Sequence, residues 1–396
     1  MKKVFFAAFF VLVFFAACSN GSKDDVYSGF EDEDGDYSEV TDRDHEGYER
    51  PDDAPMPGGS GGNESSDPSG STGSKDDDNA GNDEDSESEN DDENGNDGGN
   101  NETPDENGGD EDETPDDDGA VYSSLPDVEE CVAGKVSGSE KAKVLARINY
   151  IRSIHDLKPV YYDPEGDEIT AQCSLIIAAN QKLSHTPDSS WKCWSQDAYD
   201  GCNSSNIFIQ WASYDLASLD STEVVDAFLA DEDVESLGHR RWLIDPWLAH
   251  ISFGRADYYD GSSSSVVGSA IKVINDDNQD ISDTDIEFVA YPFHEYPAEL
   301  YNDNVMMSFT VIKDRSSKYS NGTNLNLASA TIAITDPDNK TVKVKNILFD
   351  TDGYGVPNNV RWFAEGIKPN TRYNVAVSNI MVDNVSTLYQ YWFELK

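Results

Sequence analysis

Positive charge is scarce in this chain: 28 Lys plus Arg stand against 78 Asp plus Glu in 396 residues, a formal charge of -50. That shortage argues against a phosphate-gripping surface, because nucleic-acid binders concentrate Lys and Arg on one face, and against an electrostatic hold on an anionic membrane. Large apolar residues are absent from 58–120, which contain no Val, Ile, Leu, Met, Phe, Tyr or Trp. With nothing to bury, this stretch cannot offset its chain entropy, which predicts disorder. The charge imbalance is concentrated in the same region: 19–120 hold 38 acidic and 4 basic residues, net -34, whereas 121–396 hold 40 and 22, net -18. A flexible coil of about a hundred residues spans roughly 55 Å root-mean-square, and self-repulsion extends it further. None of its acidic runs keeps the spacing of an EF-hand calcium loop. Residues 18–120 therefore read as a disordered acidic tether.

Long hydrophobic runs are also lacking, with one exception. Lys2 and Lys3 precede the 14 apolar residues from Val4 to Ala17, a run too short to span a bilayer, which predicts a cleaved export signal over 1–17. Its end, Phe15-Ala16-Ala17-Cys18, resembles a bacterial lipobox with Phe15 in place of the usual Leu. The resemblance implies lipidation at Cys18 and anchoring in the cell envelope by more than one chain. Ser19 after the cysteine implies a route to the outer membrane if the cell is Gram-negative; a plain secretory signal is the alternative. Cysteine is sparse too, five in all. Cys131, Cys173, Cys193 and Cys202 remain for the exported part, where disulfides persist. Four cysteines permit three connectivities. The expected pairing is Cys193 with Cys202 and Cys131 with Cys173, the alternative being one pair reduced and buried.

Periodicity sets out two regions in 121–396. Ala142, Leu145, Ile148, Ile151 and His155 recur at helical steps, as do Ile169, Cys173, Ile176, Ile177, Asn180 and Leu183. A third helix starts at Asp220 as N-cap with Glu223 three residues on. Ile251–Ala256 and Val266–Ile274 then read as strands. From about Tyr291 short alternating runs recur, at 307–312, 330–334, 341–344, 360–363, 373–377 and 389–393, separated by Asp-Pro-Asp-Asn and Asp-Gly-Tyr-Gly turns, which is a β-sandwich pattern.

The succession Arg147-Ile148-Asn149-Tyr150, Leu183-Ser184-His185, Ser205-Asn206-Ile207, Val225-Asp226-Ala227-Phe228, Gly238-His239-Arg240 and Ile251-Ser252-Phe253-Gly254 resembles the CAP superfamily in its bacterial branch, over roughly 138–275. The resemblance implies an α-β-α sandwich with a central cleft. The Gly366–Tyr373 segment, Gly-Ile-Lys-Pro-Asn-Thr-Arg-Tyr, resembles a fibronectin type III turn in which Tyr373 is the tyrosine-corner residue. The expected fold class is thus α+β, with a CAP domain over 121–285 and an Ig-like or fibronectin type III-like β-sandwich over 286–396.

CAP clefts commonly carry two His and two acids that can hold a divalent metal. Carried over, the histidines fall on His185 and His239, one acid falls on Asp231, and the other falls on Ser205, which is no acid. His185, Asp231 and His239 could still ligate zinc with a water in the open position, against the alternative of two hydrogen-bonded histidines. Ser205 lies between two histidines as a nucleophile would, but Asn203-Ser204-Ser205-Asn206 has no strained elbow and reads as ordinary loop chemistry, with Ser205 a structural residue. Glu232, Asp233 and Glu235 read as a solvated run that Arg240 and Arg241 could pair with. Trp191, Trp194, Trp211, Trp242 and Trp247 read as core or as an aromatic cleft wall. The function expected is a non-catalytic binding or interaction module for a protein, glycan or lipid, with no nucleic acid. The rivals are an envelope hydrolase using His185, His239 and Asp231, and a lipid or sterol carrier.

Overall fold

The computed structural model describes residues 13–14 and 119–396, apart from 213–215, 217–218, 260 and 262–263. Cys18 and nearly all of the export signal and tether lie outside the described residues. Val13–Phe14 (β1) pair antiparallel with Gln210 and Ile209.

After residue 119 the chain forms a small ribbon of Tyr122–Ser124 (β2) and Lys135–Val136 (β3). Helix α1 (Gly138–Ser153) begins where the Glu140 N–H donates to Ser137 Oγ, which satisfies a donor with no partner inside the helix. Its buried stripe is Val144, Ile148 and Ile151, while Ala142 is exposed and Leu145 half-buried. Ile148, Ile151 and His155 are thus buried as spacing suggested, and Val144 takes the inward place given to Ala142 and Leu145. Tyr161–Tyr162 (β4) precede α2 (Asp167–Asn180), in which every residue from Thr170 to Ala178 except Gln172 is buried. A helix apolar nearly all round has to lie between other layers. It ends at Gln181, which adopts a left-handed conformation with φ 53°, so the predicted continuation to Leu183 does not form. Helix α3 (Gln196–Asn203), strand β5 (Ser205–Ala212), α4 (Ser221–Ala230), α5 (Gly238–Leu243), β6 (His250–Tyr259) and β7 (Ser265–Lys272) complete this half.

The central sheet runs β1-β5-β7-β6-β4, antiparallel except for the β4–β6 pair. Successive strand residues face opposite sides, and the two cores follow that rule. Ile207, Ile209, Val266, Ala270 and Ala256 join Cys173, Ile176 and Ile177 of α2 in one cluster. Phe208, Val267, Ile271, Ile251 and Phe253 join Ile148 and Ile151 of α1 and Val224 and Phe228 of α4 in the other. Gly254 and Gly268 are required where α2 lies on the sheet: a side chain at either would meet the α2 backbone at Thr170 or Ser174. This is the α-β-α arrangement expected. Arg147 fastens two of its helices, its Nε and Nη2 donating to the two carboxylate oxygens of Asp226 at 2.7 and 2.9 Å.

The C-terminal part is all β apart from two short 3-10 turns. Phe288–Tyr291 (β8), His294–Tyr296 (β9), Met307–Val311 (β10), Leu325–Asn326 (β11), Thr331–Thr335 (β12), Lys343–Asp350 (β13), Asn359–Glu365 (β14), Arg372–Val382 (β15) and Val385–Leu395 (β16) form two sheets, β13-β14-β10-β8 and β11-β15-β16-β9, with β12 also on β15. Tyr373 Oη accepts the Lys368 N–H at 3.0 Å, the back-bond of a tyrosine corner. The sheets enclose Phe309, Trp362, Val375, Tyr391 and Phe393, and one continuous apolar cluster runs from these residues into Val224, Phe228 and Trp242.

Both disulfides connect differently from the expected pairing. The bonds are Cys131–Cys193 and Cys173–Cys202, with Cα atoms 5.2 and 5.0 Å apart. The local Cys193–Cys202 bridge does not form: Cys202 lies in α3 (Gln196–Asn203) and is bonded to α2 at Cys173, while Cys193 lies in the loop before α3 and is bonded to Cys131. The same helix carries Cys202 onto α2, where Gly201 presses against the Ile169 carbonyl, and this brings Cys202 to Cys173.

Candidate functional site

The candidate residues come from four separate segments. His185 follows α2 and is half-buried, its Nδ1 2.8 Å from the Cys202 carbonyl. Three residues on from that carbonyl, Ser205 opens β5, fully buried and opposite Lys272. The neighbouring Asn206 donates from Nδ2 to the His239 carbonyl at 3.0 Å. The start of β5 is thus bonded to the His239 backbone, and His185 is bonded to a carbonyl three residues before it.

Asp231 and His239 form a closed pair. Asp231 terminates α4 in a left-handed conformation, φ 50°, a geometry that Asp tolerates better than most residues. Both residues are buried, and His239 Nδ1 lies 2.8 Å from Asp231 Oδ1. A carboxylate only accepts, so Nδ1 carries the proton. Asp231 Oδ2 accepts the Arg240 N–H at 3.1 Å. The imidazole stacks on Phe228, centroids 5.0 Å apart at 22°, and Phe228 sits edge-on to Phe208. Phe228 supplies the floor on which the ring rests.

Among the described residues, no three His, Cys, Asp or Glu side chains are placed to hold a metal ion. Within the set His185, Asp231 and His239, the carboxylate is already engaged on both oxygens. One Asp231 oxygen is engaged by His239 and the other by a backbone N–H, while His185 turns its Nδ1 to a carbonyl. Ser205 begins a regular strand, with no elbow that would lift it toward a substrate.

The sequence allows Arg240 and Arg241 to pair with Glu232, Asp233 or Glu235. Among the described residues they do not; Asp233 and Glu235 remain exposed, and both guanidinium groups turn into the β-sandwich. Arg240 donates to the Leu229 and Ala230 carbonyls of α4, each at 2.5 Å, and across the seam to the Met306 carbonyl at 2.6 Å. Its guanidinium carbon lies 3.8 Å from the Tyr291 ring centroid, and burial lowers its pKa from the usual arginine value. Arg241 donates to Asp350 Oδ1 at 2.8 Å and to the Asp352 carbonyl at 2.7 Å; Arg361 reaches the other Asp350 oxygen at 2.6 Å. Gly355, at φ 62°, lets the 352–356 turn approach the Arg241 carbonyl, where a Cβ would stand 2.6 Å away. Lys318 pairs with buried Asp245 at 2.5 Å and lies 4.7 Å from the Trp242 ring. Trp242 and Trp247 are core residues, whereas Trp194 is exposed.

Sequence reading missed this seam because its signal is split: the two arginines stand in one motif, and their acceptors lie 66 to 115 residues away. Arg152 behaves in the same way. Fully buried, it donates to the Lys158, Leu243 and Asp245 carbonyls, and desolvation lowers its pKa to about 10.

No curated protein matches the chain. The family model described as CAP: Cysteine-rich secretory protein family matches residues 145–270, the segment that holds α2 to α5, β4 to β6, most of β7 and all four candidate residues. With the α-β-α layers, the two disulfides and the paired His and acid in place, residues 145–270 are a CAP domain of the cysteine-rich secretory protein family.

Proposed function

We propose that the chain is an extracytoplasmic lipoprotein, anchored through Cys18, that displays its CAP domain and sandwich as a non-catalytic binding and interaction module. The buried Asp231–His239 pair carries this reading. A general base or metal ligand must reach a substrate or ion, whereas here both carboxylate oxygens are committed to internal bonds and both side chains are wholly buried. Two disulfides suit an oxidising compartment.

The test measures metal content and turnover on the purified protein with peptide and glycan substrates, alongside His239→Ala. Neither stoichiometric zinc nor turnover is expected. Zinc bound one to one and lost with His239→Ala, together with hydrolysis, would establish the hydrolase instead. A lipid that co-purifies and appears in native mass spectrometry would establish the carrier. For the anchor, incorporation of labelled fatty acid should disappear in Cys18→Ser; persistence of the label would remove the lipoprotein assignment.

A further inference from the structure

The Arg240 guanidinium is a buried cation whose direct hydrogen bonds all go to neutral acceptors: the Leu229, Ala230 and Met306 carbonyls and, more weakly, Ser308 Oγ at 3.4 Å. Leu229 and Ala230 supply carbonyls from the last turn of α4, which have no partners within the helix and attract a cation. Met306 stands at the entry to β10 on the far side of the seam. One side chain therefore caps a CAP helix and fastens a sandwich strand. The Tyr291 ring of β8 closes over it, and Tyr291 Oη donates to the Leu300 carbonyl at 2.5 Å. The carboxylate that both offsets this charge and fixes its position is Asp231, which grips the Arg240 backbone N–H with one oxygen and His239 with the other.

We propose that Asp231, His239 and Arg240 act as a bolt that couples the CAP cleft to the C-terminal sandwich, so that a change at the Asp231–His239 pair alters the order of β8 and β10. In this scheme Asp231 and His239 are positioning residues for Arg240, and the family's cleft residues serve a contact made through the molecule. An open depression of about 380 Å³ lies on the same seam, lined by Asp233, Glu235 and Ser236 from the CAP side and by Asp352, Tyr354 and Arg361 from the sandwich side. Coupling of this kind is reciprocal: disturbing the sandwich end must be felt at the pair. The link does not depend on whether the cleft turns over a substrate.

Hydrogen exchange by mass spectrometry on the full chain tests it with Asp231→Asn and Tyr291→Leu. Removing the Asp231 charge leaves Arg240 buried and uncompensated, which should speed exchange of peptides over 288–291 and 307–311 by about a hundredfold, with α2 unchanged. Tyr291→Leu should speed exchange in the last turn of α4 and shift the His239 ring resonances in NMR spectra, which a purely local packing role would leave in place. The bolt is refuted if Asp231→Asn affects only 231–240, or affects α2 as strongly as β8 and β10. Should Asp231→Asn not fold, Tyr291→Leu decides alone: unchanged His239 resonances with unchanged exchange in α4 refute the proposal.

Discussion

At the scale of single residues, the informative group is His155. Its Nδ1 lies 2.8 Å from the Ile151 carbonyl, its Nε2 makes no hydrogen bond, and its ring stands against Tyr291 and Tyr296 at the seam. Burial, with Arg240 and Arg152 nearby, lowers its pKa to about 4 from an ordinary 6.5. The unfolded chain therefore takes up a proton first as the pH falls. Stability contributed by neutral His155 is complete above about 6.5 and is lost between about 6.5 and 4, on the order of 3 kcal/mol in total. Melting temperatures measured from pH 7 to 4 should show this loss, and His155→Phe, which keeps a ring between the two tyrosines, should flatten the profile in that window. An unchanged profile would assign the pH dependence to other groups. Sequence periodicity places His155 on the inner stripe of the first helix, but the rings that pack against it, Tyr291 and Tyr296, are more than 130 residues away, which no local pattern encodes.

Among the elements, the helices with strong signals were legible and the weak ones were not. Asp220 and Glu223 announced α4, and Asp220 does cap it, its carboxylate accepting the Thr222 N–H. Helix α3 escaped because Gln196-Asp197-Ala198-Tyr199-Asp200-Gly201-Cys202-Asn203 has few apolar residues, and Gly201 reads as a breaker although it is needed for contact with α2. That one missed helix also misdirected the disulfides, since a nine-residue separation looked like a local loop. The corrected pairing yields an experiment. Peptide mapping without reductant should give Cys131 linked to Cys193 and Cys173 linked to Cys202. Limited reductant should open the first bridge, where Cys131 is exposed, and leave the second, where both cysteines are wholly buried. A Cys193–Cys202 peptide, or simultaneous opening of both bridges, contradicts this architecture. Each bridge closes a loop of 62 or 29 residues, so removing either should cost about 4 kcal/mol on a chain-entropy basis.

For the whole molecule, the sequence separated two textures, helices then strands, and both are present. It could not show that they share a core, because the apolar residues that join them are ordinary members of each pattern. The connecting segment is itself held down: Asn275 donates to the His250 carbonyl, Gln279 to the Pro159 and Leu248 carbonyls, and Lys158 reaches Asp283. Brief digestion with an acid-specific protease should therefore leave one resistant piece containing both Cys131 and Tyr391, despite the exposed aspartates of 276–285. Release of the two halves as separate stable fragments would show that the seam is loose.

The Cys131–Cys193 bridge has a mechanical side. A pull transmitted along the chain into residue 119 meets this covalent crosslink within about a dozen residues and passes into the segment between α2 and α3, which Cys173–Cys202 ties in turn. The load path runs through the disulfide-stapled face of the CAP domain and bypasses the seam. The sandwich thus rides as an unloaded passenger, and a pull entering at residue 119 would leave the Arg240 contact at rest.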